Sequence, residues 1–560
     1  MRYILIYIFS FFVCTLKAQI LEDYFIPPLK IPIVFSGTFG ELRSNHFHSG
    51  LDIKTQGKTG LDIHASAEGY VSRIKISEGG YGKALYVKHP NGYTTVYAHL
   101  KKFGPKIEAY VKKRQYTKES YTIELYPKAS DLVVAKDEVI ALSGNSGGSG
   151  GPHLHFEIRD GNSRPMNPIL FGIDAADTRK PLVRSVWLYP LNEDAHVNGQ
   201  NEPYRLKTTL LEDGSLKTKA VIACGEIGVG LNTVDQQNAA NNKNGIYIIK
   251  SSVNGTPNFE LEMKRFSFSE TRYINRMIDY PYFIKNKSRI TKLFVESNNP
   301  LSIYNDNLSD GTLDIKDQLS YKIDVSVQDA KGNSKVIYIP IEGQEQVNKE
   351  EVVKESSPFV AMPGQSFKFS CEYASLNIPK KALYDPINLD IEELPGNKLK
   401  IHQNQVPLHK YMNISFSLKD VANTKQSYIG RFKDESRPKY VGAKISGDRI
   451  TARTREFGNF GIFTDTIAPV VKPVNFSNKK WISNNKTLKV SVQDRQTGVK
   501  SYRATINDRF ALMEYDYKKN SLTYDFEDGI SGVGENKLKV FVKDEVGNTT
   551  VYEASFFRKK

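Results

Sequence analysis

Cysteine is scarce in this sequence, with three in 560 residues, and one of them, Cys14, falls in a segment read below as a leader. Cys224 and Cys371 remain, far apart in the chain. Two thiols cannot staple a small scaffold, so a disulfide-built fold is excluded and two separately buried thiols are expected. Long apolar runs are missing as well. Nothing approaches the ~18 consecutive apolar residues of a membrane helix, so no transmembrane segment is expected in the mature chain. Lys and Arg outnumber Asp and Glu by 77 to 62, a formal charge of +15. No finger, helix-turn-helix or aromatic RNA-binding motif accompanies that excess, and the basic residues are scattered among acids. Nucleic acid is therefore excluded as a partner. An anionic polymer of a cell envelope suits an exported basic chain better, because long-range attraction raises encounter rates without choosing a partner.

What is present is ordinary folded-protein composition: 39% hydrophobic, 11% aromatic and 25% charged residues. The length calls for three or four domains. Arg2, the apolar stretch Ile4 to Val13 and the small residue Ala18 read as a secretory leader over 1–18, which places the chain in the periplasm, the envelope or the medium. From Ile31 to Phe171 the chain alternates short strands with Gly-rich turns. Its clearest hairpin runs from Ala84 through Pro90-Asn91-Gly92 to Leu100, where Asn-Gly supplies turn geometry. An all-β, multi-domain protein is expected, with a first domain over 19–175.

A partial repeat follows. Asp177-Thr-x-x-Pro181 and Asp465-Thr-x-x-Pro469 match, and each has a downstream counterpart, Asp329-Ala-Lys-Gly332-Asn333 and Asp544-Glu-Val-Gly547-Asn548. A strand, an Asp and Gly-Asn turn and a second strand make hairpin grammar. These stretches resemble the immunoglobulin-like modules of bacterial surface proteins. That gives an Ig-like β domain with an insertion over 176–342 and a C-terminal Ig-like domain over 465–560. A charged linker is expected over 343–358, and a β domain of uncertain type over 359–464.

Chemistry concentrates in three stretches of the first domain: His46-Phe-His48-Ser-Gly50-Leu-Asp52, Val96-Tyr-Ala-His99-Leu100, and Gly144-Asn-Ser-Gly followed by Gly151-Pro-His153-Leu-His155-Phe-Glu157. On a strand, His153 and His155 project from one face. One imidazole of such a pair can bind a metal while the other works on water or substrate. His48 and Asp52 would lie ~13 Å apart on a straight strand. Gly50 is expected to let the backbone bend and bring them together. Two imidazoles and a carboxylate suit Zn²⁺ with a fourth position open, and such an ion lowers the pKa of a bound water to about 7.

In these motifs the sequence resembles the lysostaphin/LytM-type zinc endopeptidases of the bacterial cell wall, over roughly 31–171. The resemblance implies zinc ligands His48, Asp52 and His155, and catalytic histidines His99 and His153. It implies peptidoglycan peptides as substrate; the β modules of the tail are expected to position the enzyme domain or to bind an envelope component. His46 falls outside the pattern, and His64, His89, His196, His402 and His409 are read as structural or surface residues. Departures exist: Lys136-Asp137 and Ala141 stand where relatives carry glycines, and an insertion over 104–131 contains Lys112-Lys113-Arg114, read as a solvated loop. The competing expectation is a catalytically inactive wall-binding or hydrolase-activating envelope protein.

Overall fold

The computed structural model describes residues 24–345 and 358–559. The expected leader over 1–18 and most of the expected linker, 346–357, lie outside the described residues. Strand accounts for 46% and helix for 7%, so the fold class is all-β. Four large hydrophobic cores follow one another along the chain.

The first core lies against an antiparallel sheet in the spatial order β1 (Phe35–Gly37), β2 (Leu51–Lys54), β7 (His153–Arg159), β5 (Thr94–Ala98), β4 (Lys83–Lys88), β3 (Gly69–Ile76) and β6 (Ile123–Leu125). Strand β7 sits between β2 and β5, pairing His155 with Asp52 on one side and with Ala98 on the other. Leu154, Phe156 and Ile158 of β7 are fully buried, each worth roughly 1.5–3 kcal/mol of apolar burial. Period-2 alternation then turns His153, His155 and Glu157 to the opposite face. The hairpin read from the sequence joins β4 to β5 with Lys88 opposite Thr94. Only Gly92 of its turn takes a positive φ, +86°.

The insertion is not a loop. Residues Pro105–Lys118 form helix α1, with Pro at its start, Glu108 in the first turn and Ile107, Val111 and Gln115 buried at helical spacing. A proline at the first turn loses no intrahelical bond, and the acidic residue there favours the helix dipole. Its charged face hid a narrow apolar stripe, which is why the sequence read as a solvated segment.

The second core is built around the 14-residue strand β8 (Val221–Val234). Phe39 and Phe47 of the preceding region are buried in that core, which ties the first two units together. The third core lies between two five-stranded sheets. The fourth lies between a four- and a five-stranded sheet, with Leu488, Val490 and Val492 facing Leu538, Val540 and Val542. The last unit folds back onto the first: Leu512 is buried in the first core. Cys224 and Cys371 form no disulfide, and both are half-buried rather than buried as expected.

Candidate active site

Three side-chain atoms converge on the polar face of β7. His48 Nε2 lies 3.0 Å from Asp52 Oδ1 and 3.0 Å from His155 Nδ1, and His155 Nδ1 lies 2.9 Å from Asp52 Oδ1. Asp52 and His155 are there because their strands pair at those residues. His48 precedes β2, and the short path from it to Asp52 runs over Gly50. The reason for glycine differs from the one the sequence suggested. Gly50 has no positive φ; a Cβ on it would stand 2.2 Å from the carbonyl oxygen of Phe156. It is there for close approach of two backbones.

Each imidazole is oriented from behind. His48 Nδ1 donates to Thr38 O at 2.8 Å, which leaves the lone pair on Nε2. His155 Nε2 donates to Glu157 Oε1 at 2.8 Å, which leaves the lone pair on Nδ1. A carbonyl or carboxylate behind a ligating histidine fixes its tautomer and raises its basicity. Glu157 is fully buried and also accepts from Ser49 Oγ at 2.7 Å, Arg159 Nε at 2.6 Å and Tyr81 Oη. The second oxygen of Asp52 accepts from Arg43 at 3.0 Å. Burial works against ionisation of Asp52, but the imidazoles of His48, His153 and His155 hold its carboxyl well below the usual range. Burial likewise pulls His155 down. Its contacts with Asp52 and Glu157 outweigh that and push it up to about 9. The pocket thus favours a positive charge among these atoms.

The other two histidines face the same space. His153 Nδ1 donates to Gly151 O at 2.9 Å, while its Nε2 is buried without a hydrogen-bond partner, 3.4 Å from Asp52 Oδ1. His99 Nδ1 donates to Ser146 O at 2.9 Å, and its ring centre is 4.8 Å from that of His153. Burial, then the neighbouring His155 and His153, lowers His99 to about 3, so it is neutral near pH 7. His99 adopts a left-handed backbone, φ +59°, which carries strain of order 1–3 kcal/mol for a non-glycine residue. All five histidines and carboxylates singled out from the sequence therefore meet in one place.

Residues 46–119 match the profile of peptidase family M23, and residues 361–465 that of a Zu5-like domain. The first unit is similar to peptidase family M23 over residues 46–119. The matched segment holds His48, Asp52 and His99 and stops before His153 and His155, which join the M23 residues through the pairing of β7. The chain is 34% identical over 128 residues to the DD-carboxypeptidase/endopeptidase Mpg of Neisseria meningitidis serogroup B, covering 23% of each chain. It is 33% identical over 144 residues to an uncharacterized metalloprotease of Haemophilus influenzae, covering 24% of this chain and 25% of that one. The chain thus spans about a quarter of the length of these relatives. Among solved structures, the catalytic domain of the prophage-encoded M23 protein EnpA from Enterococcus faecalis is similar at 25% identity, covering 26% of this chain and 98% of that one, with a TM-score of 0.20.

Several residues at the M23 centre escaped the sequence reading. Glu157 shares a strand face with His155 two positions away, a signal that period 2 carries. Arg43 and Tyr81 arrive from other strands and loops and give no local signal. Nor does the C-terminal unit, which reaches the Gly-rich loop beside His153. Lys518 Nζ donates to Asn145 O at 2.6 Å and to Ser149 O at 2.9 Å, and Ser149 Oγ is 3.1 Å from His153 Nδ1. Glu514 pairs with Lys83 at 2.8 Å and accepts from Tyr121 at 3.2 Å. Helix α1 is the other dock: Lys112 pairs with Asp528, Tyr116 donates to Asp528 Oδ2 at 2.7 Å, and Arg503 pairs with Glu119 at 2.7 Å. Between the two units lies a cavity of about 230 Å³ lined by Lys101, Gly147, Tyr121, Glu514 and Lys518 among others.

Proposed function

We propose that this chain is an exported, zinc-dependent endopeptidase that hydrolyses peptide cross-links of bacterial peptidoglycan. One observation carries the reading: His48 Nε2, Asp52 Oδ1 and His155 Nδ1 stand within 3.0 Å of one another, each imidazole with its other nitrogen engaged. Neighbouring ligands of tetrahedral Zn²⁺ bound at about 2.0–2.1 Å are about 3.3 Å apart, so this donor set fits zinc after small outward shifts. The name of the Neisseria relative, a DD-carboxypeptidase/endopeptidase, supports the wall peptide as substrate. No helix of the described residues is long and apolar enough to cross a membrane.

Bound there, zinc supplies a Lewis acid for the scissile carbonyl and a water made acidic enough to ionise near pH 7. The remaining work belongs to the chain. His153 Nε2, buried, unpartnered and aimed at the centre, takes the proton of the attacking water and returns it to the leaving amine. Gly151 O holds the opposite nitrogen as the donor, so His153 stays in the tautomer that can accept. His99, kept neutral with Nδ1 donating to Ser146 O, borders the same space and offers Nε2 as a second acceptor for that proton. On this reading 19–175 is the peptidase domain, and the units over 176–342, 359–464 and 465–560, the first and last Ig-like, position it or bind an envelope component.

The test joins metal and turnover. Wild type should hold one zinc per chain and release soluble fragments from purified peptidoglycan, with mass analysis naming the bond. His48→Ala and Asp52→Ala should lose both. A variant that kept stoichiometric zinc and still cleaved would remove the assignment. Binding to peptidoglycan without cleavage by wild type would favour a wall-binding protein instead.

A further inference from the structure

A second group of carboxylates sits where the first and second units meet. Asp177 follows the first unit, Asp235 comes directly after strand β8, and Asp329 opens the turn Asp329-Ala-Lys-Gly332-Asn333. One ligand atom from each lies within 4.8 Å of the other two. These are the aspartates of the first sequence repeat, joined by Asp235, and they line a pocket of about 30 Å³ that is partly open to solvent. That volume holds one ion or one water.

The decisive atom is Asp235 Oδ1. Asp235 is 5% exposed, and this oxygen is buried with no hydrogen-bond partner. A buried carboxylate oxygen without a donor is an expensive arrangement. Two nearby cations are engaged elsewhere: Arg179 donates to Gln236 Oε1 at 2.6 Å and to Gln237 O at 3.2 Å, and Lys331 pairs with Asp174. Burial, then the negative charges of Asp329 and Asp177, push the Asp235 carboxyl up to about 7. By contrast, Asp329 is satisfied on both oxygens by Lys331 N, Asn333 N and Asn333 Nδ2, and Asp177 Oδ1 accepts from Arg179 N. Their remaining lone pairs are available to a cation.

We propose that Asp177, Asp235 and Asp329 bind a calcium ion that pins the segment leaving the first unit onto the body of the second. The donor set is all oxygen, which selects hard cations over zinc. Oxygens bound to one Ca²⁺ at about 2.3–2.6 Å are at most about 4.6–5.2 Å apart, a span that the three aspartates satisfy. Magnesium demands tight octahedral geometry and dehydrates reluctantly, so three carboxylates from separate segments favour the more adaptable calcium. The second repeat also gathers three aspartates, Asp465, Asp494 and Asp544. There Asp465 Oδ2 accepts from Thr497 Oγ1, and Asp494 Oδ1 from Thr497 N and Gly498 N. No buried oxygen of that trio lacks a partner, so it carries no proposal.

The test uses the full chain, freed of calcium over chelating resin and restored to one equivalent of zinc. Calorimetric titration with CaCl₂ should show binding that Asp235→Asn weakens by about 10- to 100-fold, the loss expected when a metal site loses a partner. Any calcium heat retained by the variant belongs to other sites. Thermal unfolding separates a ligand from a packing residue. Without calcium, Asp235→Asn should melt at or above wild type, because the substitution relieves like-charge repulsion. With calcium the order should reverse, and MgCl₂ should not reverse it. Failure of wild type to bind calcium would overturn the proposal, as would unchanged affinity in the variant or a lower melting point in both conditions. Asp177→Asn, at the partly exposed member, gives the same readout should Asp235→Asn fail to fold.

Discussion

Glu157→Gln probes how much of the centre is held from behind. The glutamine keeps the shape and one acceptor oxygen, but it removes the charge that faces His155 Nε2 at 2.8 Å and Arg159 Nε at 2.6 Å. Glu157 is fully buried, and its acidity is raised by Arg159 and then by His155 against the opposing effect of burial. Arg159 is itself mostly buried, with its side chain 11% exposed, so the substitution leaves a cation without its counter-charge. Breaking a buried pair from one side costs about 3–5 kcal/mol; the retained acceptor places this substitution near about 3. Zinc affinity should fall separately by about 10- to 100-fold, since His155 loses the carboxylate that makes it basic. That is about 1.4–2.8 kcal/mol. The two effects are read apart: urea denaturation of the chelated protein gives the first, and competition with a chromophoric chelator at pH 7.5 gives the second. Unchanged zinc affinity in a folded Glu157→Gln protein would show that the carboxylate behind His155 does not tune the site, and the reading of β7 as a ligand strand would have to be given up.

Gly50→Ala should destabilise the first unit by about 1–3 kcal/mol and abolish cleavage, because its Cβ would stand 2.2 Å from Phe156 O and would force β2 from β7; a melting point within a degree of wild type contradicts this. Asp528→Ala should free the C-terminal unit from α1, losing charged hydrogen bonds to Lys112 and Tyr116 worth about 1.5–3 kcal/mol each. Limited proteolysis would reveal faster cutting in the variant, and an identical digestion pattern argues against the dock. His89, bonded to Glu68 O and Thr95 Oγ1, is lowered by burial, and His99 is lowered to about 3. Both are neutral when folded, so the unfolded chain binds more protons below its histidine pKa of about 6.5. Their contribution is fully present above pH 6.5 and should fall as the pH drops toward 3, whereas that of His155, raised to about 9, is complete below 6.5; a urea midpoint that is flat from pH 7 to pH 5 refutes the assignment.

Local pattern was enough to determine the strand character and the β4–β5 hairpin, and to single out five residues, His48, Asp52, His99, His153 and His155, that the fold brings together. Period-2 alternation and the i, i+2 spacing of His153 and His155 are properties of short segments, and the fold inherits them directly. What the sequence could not determine is who stands behind those residues. Tyr81 reaches Glu157 from 76 positions away, and α1 shows its purpose only once Asp528 arrives from more than 400 positions away. Gly50 was recognised as necessary but for the wrong reason, since close approach to Phe156 exists only after β2 and β7 pair. The repeated aspartates were visible as turn residues, and Asp235, which completes their cluster, belongs to neither motif. Short-range geometry is written in consecutive residues. Burial, charge pairing and the closing of one unit on another depend on which surfaces the whole chain brings into contact.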